Sequence, residues 1–358
     1  MAYTTIDDPS AHFQVAIWSG NGSNQAITND GNSDLQPDLV WIRARNESTD
    51  SALLDSTRGL TKRLHANTND TETNDSSATM SSFDSDGFTM TEYNIANDSD
   101  DTGVGWQWKA NGGSTSSNSD GDITSTVQAN TTAGFSIVTY TGTGSDASVG
   151  HGLGVAPTMY VIKARDRSDH WVVGHTSLGT STYPYNLILS QNIAKQGGSF
   201  DDYFTADPTS TVLRLGNAGN VNGGSNTYVA YCWTDIKGYS KFGRYKGNAD
   251  NDGAMIYTGF KPACIWIKCS NGHNESWHIW DHKRVSSGGN PNQAAIEIDT
   301  TGQDKGDSTP YNIDFLSTGF KIREDHDIIN GDTDEYIYAA WAQIPFVTSN
   351  GTATTAGV

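Results

Sequence analysis

The sequence predicts an all-β chain made of three tandem antiparallel β-sandwich repeats. Three observations predict it. Short aromatic runs alternate with period two, no window keeps a helical apolar pattern, and five motifs recur in one order, four of them three times and one twice. A chain of 358 residues accommodates two or three domains or one large β domain. Its 10 Trp, 15 Tyr and 11 Phe supply the apolar area that a disordered acidic chain lacks.

The motifs are taken in chain order. An alternating strand that ends in a Gly turn occurs as FQVAIWSGNG from Phe13, FSIVTYTGTG from Phe135 and, shortened, FGRYKG from Phe242. Its glycines, Gly20 and Gly22, Gly142 and Gly144, and Gly247, are expected where φ is positive. A proline followed by an apolar strand with a basic exit occurs as PDLVWIRARN, PTMYVIKARD and PACIWIKCSN, from Pro37, Pro157 and Pro262. Proline suits the first position of a strand, where its missing N–H costs no ladder bond. The third motif is ALLDSTRG from Ala52, WVVGHTSLG from Trp171 and WHIWDHKR from Trp277. The fourth is FDSDGFTM from Phe83 and FLSTGFKI from Phe315, with TVLRLG from Thr211 in its place in the middle copy. The closing strands GVGWQWKA, YVAYCWTD and YIYAAWAQ carry Trp108, Trp233 and Trp341 at one position, expected between the two sheets of each sandwich. The best helix candidate, Asp55 to His65, is broken by Gly59. The expected division is repeat 1 over 1–113, a Gly/Ser/Thr-rich linker over 114–132, repeat 2 over 133–237, repeat 3 over 238–348 and a tail over 349–358.

Composition narrows the function. The formal charge of −19 comes from dispersed acids and reads as solubility. No basic cluster offers a nucleic-acid footprint, and no apolar run approaches a membrane span of ~20 residues. The opening residues MAYTTIDDP lack the features of a secretory signal. Cys232, Cys264 and Cys269 are an odd set, and an offset of five puts the last two on opposite faces of a strand. They read as buried free thiols in a reducing cytoplasm.

Visible chemistry is sparse. Glu297 and Asp299 lie at i and i+2 of a strand, on one face about 7 Å apart. Retaining glycoside hydrolysis needs two carboxylates flanking the sugar bond. No further Glu completes the set, and the counterpart strands lack the pair, so catalysis is not expected. Asp55, His175 and Asp281 fall at one repeat position, with His273 and His278 added in the third copy. The run 277–282 puts His278, Trp280 and His282 on one strand face. This face reads first as polar and exposed, then as a sugar-contacting edge, then as a metal site. Trp277, His278, Trp280 and His282 are the candidate glycan contacts. The acidic turns at Asp84 and Asn248 do not meet a calcium-loop pattern, GHGLG at 150–154 is no dinucleotide fingerprint, and no cofactor is expected.

PDLVWIRARN, SFDSDGF, GFSIVTYTGTG, VGHGLGVAPTMYVIKARD, WVVGHTSLG and DEYIYAAWAQIPF together resemble a repeated domain of unknown function in virion proteins of marine tailed bacteriophages, cyanophages especially. The resemblance covers roughly residues 12–347. It implies a concanavalin-like or jelly-roll-like lectin sandwich, placement on the virion surface and glycan contact. The expectation is a non-enzymatic virion structural protein, a head decoration or a tail or fibre component. Its expected partners are other capsid, portal, tail or fibre subunits and a host surface glycan, in an oligomer on the particle. A glycan-binding adhesion module is the alternative, and a glycan hydrolase ranks third.

Overall fold

The computed structural model describes residues 3–354 apart from 75–78, 93–94, 181–182, 198–202, 286–288 and 307–309. Its described residues are nearly all β, in antiparallel sheets. The one α-helix among them is the single turn Gly219–Asn222. Three larger sheets share one strand order: the opening strand, the closing strand, the proline strand and the strand of the third motif. In the first sheet these are Phe13–Ser19, Thr102–Trp108, Leu39–Ala44 and Ala52–Asp55. In the second they are Phe135–Thr141, Thr227–Trp233, Met159–Ala164 and Val172–His175. In the third they are Ser240–Lys246, Glu335–Pro345, Phe260–Cys269 and His278–Asp281.

Both faces of each larger sheet are buried. The outer face packs on a smaller sheet to make a sandwich lobe with its own core. In the first lobe Trp18, Val40, Ile42 and Leu54 meet Ile27, Met80, Phe88 and Met90. The second lobe does the same through Tyr140, Tyr160 and Tyr228, and the third through Ile265, Trp280 and Tyr336. Tyr140 stacks on Tyr228 and Tyr245 on Tyr336, at 5.1 and 4.9 Å between ring centroids. The first lobe solves the same space with Trp18 over Gly103, where a Cβ would lie 2.2 Å from the indole.

The inner faces of all three sheets close on a single shared core. Here the structure departs from the sequence expectation. Trp108, Trp233 and Trp341 do not fill three separate sandwiches; they meet one another, with centroids 6.1, 5.4 and 6.1 Å apart. Trp266 touches all three, at 6.0, 6.0 and 5.1 Å. The contacts are T-shaped, the edge-to-face geometry that the ring quadrupole favours. Period-two alternation marks which positions share a face, but it does not say what that face packs against.

Three further corrections follow. The stretch 114–132, expected as a linker, holds the strands Ser116–Asn118 and Ser125–Asn130, which extend the second sheet beyond its opening strand. Phe13 and Phe135 pair with the closing tryptophans, whereas Phe242 pairs with Ala339 and Ser240 takes the place opposite Trp341. The third opening strand is thus displaced by two residues from its apparent motif. Of the expected turn glycines, Gly22 and Gly144 have positive φ, but Gly20, Gly142 and Gly247 do not. A Cβ on those three would meet a backbone oxygen at 2.1–2.4 Å, so close approach rather than φ excludes a side chain.

The shared core makes each lobe's inner face depend on the other two. Trp108→Ala should cost about 3–5 kcal/mol, the usual loss for a large buried aromatic. Calorimetry should show one unfolding transition for the whole chain, moved as a unit by this substitution; separate transitions for the three lobes would count against a common core.

Candidate functional site

The residues singled out from the sequence mostly lie inside. Trp277, His278 and Trp280 are at most 1% exposed. Trp277 and Ile279 face the shared core, while His278 and Trp280 face the third lobe's own core. The Trp277 indole donates to the Ile188 carbonyl of the second lobe at 2.9 Å, and the Trp280 indole donates to Tyr311 at 3.0 Å. The expectation of a wet polar face fails because this strand is internal to its sheet and covered on both sides. These three residues offer no surface to a glycan. His282 is half-buried, with Nδ1 3.1 Å from the Ala263 carbonyl, and it lines a recess of about 290 Å³ between the third and first lobes.

Glu297 and Asp299 are drawn to different neighbours. Glu297 ends a strand beside His278, whose Nε2 is 3.8 Å away, and Lys305, whose ammonium is at 2.9 Å. The His278 ring and Lys305 together hold the Glu297 carboxyl down at about 2. Asp299 accepts the Trp277 backbone N–H at 3.1 Å, and burial raises its pKa. It lines a recess of about 350 Å³ between the second and third lobes, with Ser190, Gln191, Asn192, Ser276 and Thr300. A carboxylate ionised down to pH 2 is a poor proton donor, so Glu297 has the electrostatics of an ion-pair partner, not of a general acid.

The repeat position of Asp55, His175 and Asp281 is a seam position. Asp55 accepts from Arg58 at 2.5 Å and from the Tyr231 hydroxyl of the second lobe at 2.7 Å. Asp281 accepts from Arg284 at 2.6 Å and from the Trp106 indole of the first lobe at 3.0 Å. Both Asp–Arg pairs are fully buried. Burial alone would raise Asp281, but the Arg284 charge and its hydrogen bond outweigh it, and the pKa is lowered. Tyr231 and Trp106 occupy the same place in their closing strands, two residues before the tryptophan; the third lobe has Ala339 there. His175 faces that third lobe with its Nε2 3.4 Å from the Tyr338 carbonyl, and burial lowers its pKa to about 4. The basic exit residues are buried as well. Arg43 reaches the Gly302 carbonyl at 2.8 Å and Lys268 the Asn192 carbonyl at 3.1 Å, both across seams. Burial brings Lys268 and its counterpart Lys163 down to about 8.

One cluster escaped sequence reasoning. His273 lies near His278 in the chain, but its partners are Asp327 and Asp334, more than fifty residues on. Its Nδ1 is 2.8 Å from Asp334 and its Nε2 3.6 Å from Asp327. Among the described residues this is the one group of three His, Cys, Asp or Glu side chains with ligand atoms all within 4.8 Å. Each ring nitrogen faces a carboxylate, an arrangement that suits an imidazolium donating twice. The Asp334 hydrogen bond, then the Asp327 charge, raise the His273 pKa. A raised folded-state pKa gives an attraction fully present below the unfolded value near 6.5 and lost as pH rises through the folded value. The imidazole resonances of His273 should therefore titrate above 6.5 by NMR, and Asp334→Asn should return the midpoint toward 6.5. A midpoint unmoved by that substitution would contradict the clamp.

A family model described as Domain of unknown function (DUF7483) matches residues 8–345, so one model spans all three lobes. No curated protein and no solved structure matches the chain.

Proposed function

The chain belongs to the family of the Domain of unknown function DUF7483, and for it we propose a non-enzymatic structural role on the surface of a tailed-bacteriophage virion, as a head decoration or a tail or fibre component. The observation that carries this reading is how the chemically capable residues are used. Trp277, His278, Trp280, Asp55, Asp281, Arg58 and Arg284 are all buried, and they join lobes or fill cores. A body held together in this way is suited to rigid display. The motif likeness to repeated domains of marine phage virion proteins supports the placement. The three free, buried cysteines suit assembly in a reducing host cytosol. Dispersed negative charge suits an exposed coat.

Immunogold labelling and mass spectrometry of purified particles test this directly. Label on head, tail or fibre is expected, and recovery only as free soluble protein would sink the proposal.

A second reading, glycan binding in host attachment, is favoured by the recess between the second and third lobes. Its hydroxyl, amide and carboxylate lining matches the groups that sugar hydroxyls pair with. On a glycan array this reading expects a bound sugar class, with the signal abolished by Gln191→Ala. An array without binding would leave the structural role alone.

A further inference from the structure

The three opening strands have one edge turned away from their closing strands, and the molecule treats the three edges differently. In the second sheet Ser125–Asn130 covers the edge, with Gln128 opposite Ile137. In the third, Phe242 donates its edge N–H to the Asp235 carboxylate at 2.8 Å, and Lys241, Arg244 and Lys246 line the strand. Charged side chains on an edge discourage further pairing. In the first, Phe13–Ser19 has no charged residue, and Ile17 is 41% exposed. The Lys109 N–H donates to the His12 carbonyl and the Gly20 N–H to the Asp101 carbonyl, so even-numbered residues face the closing strand and Val15 and Ile17 turn their backbone groups outward. Among the described residues those groups have no partner.

The covered edge shows what such an edge accepts. Gln128 is held by Ser56 and Thr57, at 3.0 and 2.9 Å, and by the Asn111 and Gly113 amides, at 3.1 and 2.9 Å. Asp38 closes the same socket. Pairing registers align Trp108 with Trp341, each opposite the start of its proline strand, and Asp55 with Asp281. On that alignment Ser56, Thr57, Asp38 and Asn111 correspond to His282, Lys283, Ala263 and Ile344. These four line the recess of about 290 Å³, and its remaining wall includes Val15 of the open edge. The recess is thus the counterpart of the Gln128 socket, with no strand in it. Two changes in its lining matter for charge. Lys283 stands in place of the Thr57 hydroxyl and Ala263 in place of the Asp38 carboxylate, while His282, its pKa lowered by burial, replaces the Ser56 hydroxyl without adding charge. Lys283 already pairs with the exposed Asp30 at 2.6 Å, at the mouth.

We propose that this edge is the docking site for an extended strand of a partner protein, added antiparallel to Phe13–Ser19 with a glutamate opposite Val15 entering the recess. Main-chain hydrogen bonds supply the affinity, and the recess selects the side chain, as in other cases of β-strand addition. The placement of Ser125–Asn130 on the second lobe is the same interaction within one chain, and the proposed strand continues the existing seam between lobes three and one.

The probe is a synthetic peptide of residues 122–131 carrying Gln128→Glu, titrated into the intact protein and followed by calorimetry and amide NMR. Saturable binding is expected, with the Val15 and Ile17 amides gaining protection. The unmodified glutamine peptide should bind several-fold more weakly, and Lys283→Ala should remove that difference. Ile17→Lys, at an exposed position that keeps the fold, should weaken binding by about tenfold or more. Three results would overturn the proposal: no binding at millimolar peptide, perturbation confined to other surfaces, or a protein dimer dissolved by Ile17→Lys, which would assign the edge to a second copy.

Discussion

The meeting of Trp108, Trp233, Trp341 and Trp266 at one point is the contact on which the rest of the molecule depends. Each larger sheet has an apolar face on both sides, and its small outer sheet covers only one. The inner face must find cover elsewhere, and the other two inner faces provide it. Domains of about 105 residues ordinarily bury enough surface to stand alone. These lobes share a core in place of closing their own, and this explains why a polar chain with 35% hydrophobic residues builds four apolar clusters.

Sharing a core forces polar groups into the seams. A strand whose two faces are buried still ends in side chains that must be paired, because an unpaired buried charge costs several kcal/mol. The Asp–Arg pairs at 55 and 58, and at 281 and 284, meet this need at two seams by bonding an aromatic donor of the next lobe. At the third seam Ala339 offers no donor, and a neutral histidine stands where the other lobes have aspartate. Glu72 joins Arg58 of the first lobe to Arg165 of the second, so charge pairing runs across the seam as well as within a lobe.

Much of this fold is legible in the sequence. Period-two runs give the strands, and corresponding motifs take corresponding places in all three larger sheets. What pattern reading misses is what faces what. Alternation in WHIWDH separates two faces and suggests solvent for the polar one; the structure buries both. Gly, Ser and Thr in 114–132 look like a linker because their side chains are small and polar, yet an added edge strand needs only backbone bonds. The displaced register of Phe242 is hidden because FGRYKG keeps the aromatic and glycine landmarks. His273 was visible as a residue, but its aspartates reach it from a loop before the closing strand, a contact that no local spacing reports.

The different treatment of the three opening edges has a consequence for valency. A ring of three identical lobes would present three identical edges, and open edges in that number invite branching networks. Among the described residues one edge is satisfied from within, one is fenced by charge and one is left uncovered. With the uncovered edge as the proposed docking site, a scaffold of near-threefold repetition offers its opening strands to a partner at one place, and that place sets the orientation in which the body is seated.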